Sequence, residues 1–70
     1  MNNEKEIFSY MLKCDNPNAV FETLKRVILS DDYIDDRKKI QRLIDLMHAY
    51  KGVMTSMYFA IALSYLFNFH

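Results

Sequence analysis

From Gly52 to His70 the chain carries no formally charged side chain, counting His70 as neutral. Residues 53–70 read VMTSMYFAIALSYLFNFH, and the polar groups among them are Thr55, Ser56, Ser64, Asn68, His70 and the hydroxyls of Tyr58 and Tyr65. On a helical wheel the apolar residues fall on every side, which describes either a core helix or a membrane span. A chain of 70 residues has little else with which to surround such a helix. Cover is therefore expected from a second copy, another protein or a bilayer.

Size points the same way. A domain this short draws only ~3–5 kcal/mol from a single core, and disulfides, metals or oligomerisation usually add the rest. One cysteine, Cys14, excludes an internal disulfide and a CxxC-type zinc site. Oligomerisation remains, and a hydrophobic fraction of 51% favours it. Nine Lys and Arg balance nine Asp and Glu, so no net field draws the chain to nucleic acid or anionic lipid. The start, Met-Asn-Asn-Glu-Lys-Glu, lacks the basic and apolar regions of a secretory signal, so a cytoplasmic location is expected. Abundant Asn, Lys, Ile, Tyr and Met, with one Gly and one Pro, is the usage of low-GC bacteria and their phages.

No strand-like alternation stands out, so the chain reads as one all-α domain over residues 1–70, a compact bundle of four short helices. Helix one is expected over about 3–13, burying Ile7, Phe8, Met11 and Leu12. Asn16 followed by Pro17 is an N-cap with proline at the first helical position, which starts helix two over 17–29. Its stripe is Val20, Leu24, Val27 and Ile28, with Phe21 beside it. Asp32 or Asp35 caps helix three over 35–50, whose stripe is Ile40, Leu43, Ile44, Met47 and Tyr50. Leu46 flanks that stripe, while Asp45 and His48 lie outside it. Gly52 suits a C-cap, and helix four follows over 53–68.

In this fourth helix Ser56, Ala60 and Ser64 form a strip of small side chains that lets another backbone approach closely. With Phe59, Leu63 and Phe67 they are the expected homodimer interface, symmetric dimers being the commonest oligomers. The alternative is a monomer in which three amphipathic helices enclose the fourth. A membrane span is disfavoured, because the apolar stretch has 18 positions against the ~20 a span needs and includes five polar side chains. Met47, Tyr50, Met54, Met57 and Tyr58 gather at the expected corner between helices three and four, a Met-rich surface suited to a protein partner.

Sites for chemistry are few. Cys14 and His48 are the only possible thiol–imidazole pair, and no third group is at hand to orient the base. Asp45 and His48, three apart on a helix, are half of a metal site in a chain short of further ligands. The acidic run at Asp31, Asp32, Asp35 and Asp36 lacks the ligand spacing of a calcium loop. No cofactor, metal or catalysis is expected. Helices two and three could form a helix-turn-helix whose Arg37, Lys38 and Arg42 meet DNA, but the neighbouring aspartates oppose phosphate. The reading is a non-enzymatic adaptor, inhibitor or regulator of the kind phages and mobile elements encode, acting by binding another protein. A DNA-binding regulator is the alternative, and a small C-terminally anchored membrane protein the second.

Overall fold

The computed structural model of the chain describes residues 3–67. Within them the fold is all-helical, with α1 at Asn3–Leu12, α2 at Pro17–Ser30 and α3 at Asp36–Phe67. The N-terminal signals act as their chemistry requires. Asn16 Oδ1 accepts the Ala19 N–H at 3.2 Å, with Pro17 at the first helical position of α2. Asp35 Oδ1 accepts the Lys38 N–H at 2.8 Å and so caps α3. Between the two helices, Asp31 Oδ1 accepts the Tyr33 N–H at 2.9 Å and closes the link.

The expected helices three and four are one. Gly52 does not cap a helix end; α3 runs through it for 32 residues, roughly 48 Å at ~1.5 Å per residue. A lone glycine costs a helix interior only about 1 kcal/mol, and no glycine here has the positive φ of a left-handed cap. The hydrogen bonds on either side outweigh that cost, so three helices replace four. The expected end at 68 lies outside the described residues.

Because α3 is continuous, the molecule is elongated, 55 × 25 × 14 Å, and not a compact bundle. Helices α1 and α2 pack against the first half of α3 around Phe8, Leu12, Ile28, Leu46, Ala49 and Val53. Phe21 stacks on Tyr50 with ring centroids 4.4 Å apart, and the Tyr50 hydroxyl donates to Asn18 Oδ1, which fixes α2 on α3. Val53 is the last buried residue among those described, and every residue from Thr55 to Phe67 is exposed.

The buried faces differ from the expected stripes. On α1, Phe8 and Leu12 are buried while Ile7 and Met11 are exposed; on α2, Ile28 is buried and Val27 exposed. On α3 the core face is Leu46, Ala49 and Val53, and Ile40, Ile44 and Met47 of the expected stripe lie on the exposed side. Arg42 explains much of this turn. It sits on the inward side and pairs with Glu4 (Nε to Oε1, 3.2 Å) and Asp31 (Nη1 to Oδ2, 3.7 Å), joining α1, the α2–α3 link and α3. Ala49, two turns along the same face, is buried in the core cluster. Lys39 adds a tether by donating from Nζ to the Leu29 carbonyl at 3.2 Å.

Candidate interaction surface

The second half of α3 projects from the three-helix end with apolar side chains on all sides. Tyr58, Phe59, Ile61, Tyr65, Leu66 and Phe67 are each between 61% and 76% exposed. A helix of this length without tertiary cover is marginal in water, since most helical stability in proteins comes from packing. Monomers rarely leave contiguous apolar patches beyond a few hundred Å² bare.

Of the residues assigned to a dimer interface, Ser56, Ala60 and Ser64 run down one side of this projection, with Phe59, Leu63 and Phe67 exposed beside them. Ser56 and Ala60 continue, at helical spacing, the face that Ala49 and Val53 present to the core. Where α1 ends, that face opens into a shallow groove of about 470 Å³ lined by Lys13, Cys14, Asp15, Val53, Met57 and the two small residues. A second hollow, reached past Ala60, is lined by Ile61, Ser64 and Tyr65. The proposed partner surface is divided. Tyr50 is taken up by Phe21 and Asn18 and Met54 is half-buried, whereas Met47, Met57 and Tyr58 are exposed. There is no helix corner for these residues to gather around.

Asp45 lies in the core at 4% exposure, against the expectation that it sits outside the buried stripe. Its Oδ1 accepts from Gln41 Nε2 at 3.3 Å, and its Oδ2 has no hydrogen-bond partner among the described residues. Buried carboxylates without full pairing are costly. Asp45→Leu is therefore expected to stabilise the fold by roughly 1–2 kcal/mol, seen as a higher urea midpoint at unchanged slope. A lower midpoint would show that Oδ2 makes a stabilising contact. His48, three residues on, is exposed, and among the described residues no group of three His, Cys, Asp or Glu is arranged to hold a metal ion. Cys14 is exposed at the rim of the groove.

The basic cluster is also split. Arg37 and Lys38 are exposed at the start of α3, while Arg42 is engaged by Glu4 and Asp31. Among the described residues no helix is long and apolar enough to cross a membrane.

The class defined by this geometry is a small all-α protein with one helix extended past its own core. No protein-family model, curated protein or solved structure matches the chain.

Proposed function

We propose that the chain is a small non-enzymatic protein-interaction module, an adaptor, inhibitor or regulator, and that it forms a homodimer through the second half of α3. The single observation that supports this reading is the projection beyond Val53, whose aromatic and aliphatic side chains stay exposed among the described residues. Aromatic residues and methionine are the types that protein interfaces enrich, and charged residues the types their centres exclude. The projection has that composition throughout.

Sedimentation equilibrium of the whole chain tests self-association. At about 100 µM a complex with a Kd near 1 µM is nearly fully paired, so a dimer mass is expected. Phe59→Glu combined with Ile61→Glu places charge on two sides of the projection and is expected to give monomers, with the core of α1, α2 and the first half of α3 kept because neither residue touches it. A wild-type chain that stays monomeric at this concentration would remove the homodimer from the proposal.

A further inference from the structure

Ile40, Ile44 and Met47 have the spacing of a buried stripe yet lie exposed, on the side of α3 away from Leu46, Ala49 and Val53. With α3 unbroken at Gly52, that stripe does not stop. It continues in alternating steps of three and four through Lys51, Met54, Tyr58 and Ile61 to Tyr65. Eight positions in this rhythm make about three and a half heptads, the period of a coiled-coil seam. The fold covers the opposite side of the helix and leaves this one open except at Met54, which is half-buried.

We propose that the occupant of this seam is the α3 of a second copy, packed antiparallel about a two-fold axis midway between Lys51 and Met54. This rests on the self-association proposed above and names the face and direction by which it occurs. Three observations support it. First, the seam is self-complementary in one antiparallel register. Ile40 then faces the partner's Tyr65, Ile44 the partner's Ile61, Met47 the partner's Tyr58 and Lys51 the partner's Met54, each an a position against a d position. Second, the charge of Lys51 favours this direction. A parallel pair in register would set Lys51 against its own copy in a dry seam, where like charges repel. The antiparallel pair offsets the two Lys51 residues by three positions, about 4.5 Å along the axis, and sets each against a methionine, along which its aliphatic stem can lie while the ammonium reaches water. Third, the area suffices. Ile40, Ile44, Met47, Tyr58, Ile61 and Tyr65 are 40% to 73% exposed. At ~200 Å² per large side chain they offer on the order of 700 Å² per copy, against the ~800 Å² per partner of a standard interface.

The pairing is tested with two variants, Ile44→Glu and Ile61→Lys. Both positions are exposed in the single chain, so both variants are expected to keep the core around Leu46 folded. Each alone is expected to weaken the wild-type dimer about tenfold or more, because it buries an unpaired charge in the seam. Mixed, they are expected to restore a heterodimer, since the antiparallel register sets the new carboxylate of one chain opposite the new ammonium of the other. Should either variant lose helicity, Ile44→Cys and Ile61→Cys chains, both in a Cys14→Ser background, are mixed with a short bismaleimide. Cross-linked heterodimer from the mixture, with none from either chain alone, is the expected result. Singles that dissociate without rescue, or chains that cross-link to themselves, would overturn the antiparallel register. Dimers indifferent to both charges but broken by Ala60→Glu would overturn the seam and place self-association on the Ser56–Ala60–Ser64 strip, leaving the interaction reading intact. A monomeric wild type would overturn both.

Discussion

Leu46→Ala is expected to leave the protein largely unfolded at 25 °C. Leu46 is at 0% exposure where α1 and α2 meet α3, and it packs in the cluster with Phe8, Leu12 and Ile28. Truncating a fully buried leucine removes its transfer free energy and leaves a cavity, together costing about 2–5 kcal/mol. A single core in a chain this short supplies only ~3–5 kcal/mol, so the loss approaches the whole. Far-ultraviolet circular dichroism through a thermal scan reads the outcome, with Leu66→Ala as the control. Leu66 is exposed on the projection, and its truncation should change the stability by less than ~0.5 kcal/mol in the single chain. If Leu46→Ala melted like the wild type, the face that α3 turns to the core would be a different one.

Two substitutions at Gly52 should move stability in opposite directions. The residue is inside α3, has no positive φ, and a β-carbon built on it would meet nothing within 4 Å. Gly52→Ala is therefore expected to stabilise the fold by about 0.5–1 kcal/mol, by restricting the unfolded chain and improving helix propensity. Gly52→Pro removes the N–H that donates one turn back and sets its ring against that turn, a loss of about 3 kcal/mol or more. Denaturant titration of the three chains side by side checks both signs. A helix end at Gly52 would instead make both substitutions costly, since neither alanine nor proline suits a left-handed cap. The same pair bears on the proposed seam, since a kink at Gly52 would put Ile40–Met47 and Tyr58–Tyr65 on different lines. Gly52→Pro should thus also weaken self-association, while Gly52→Ala should preserve it.

Much of the local structure was legible because it is encoded by neighbours. Asn16 before Pro17, and Asp35 before the basic start of α3, supply the N-caps from side chains within three residues of the groups they satisfy. The all-α class followed from helical periodicity, and the charge-free stretch after Gly52 marked a helix its own chain could not cover. Gly52 itself was misleading, because a glycine's preference for a cap is a weak local term. The choice between cap and helix interior is made by the hydrogen bonds that continue on both sides of it.

The candidate surface was legible in part. Residues Ser56 to Phe67 are exposed, as an interface helix requires, but the stripe at Ile40, Ile44 and Met47 was assigned to the core and stands outside it. Two apolar faces compete on this helix, and periodicity alone does not rank them. The spacing that continues through Lys51 to Tyr65 forms one face only because the helix is unbroken at Gly52.

By itself the sequence determined the helical class, the starts of α2 and α3, and a carboxyl-terminal stretch without charge. These depend on side chains acting over one or two turns. Only the tertiary structure decided that α3 passes through Gly52, that Leu46, Ala49 and Val53 face inward, and that Asp45 is buried among them. Those outcomes depend on contacts between residues far apart in the chain, Arg42 with Glu4 and Asp31 foremost. The packing they bring buries a polar residue in the core that no local rule would place there.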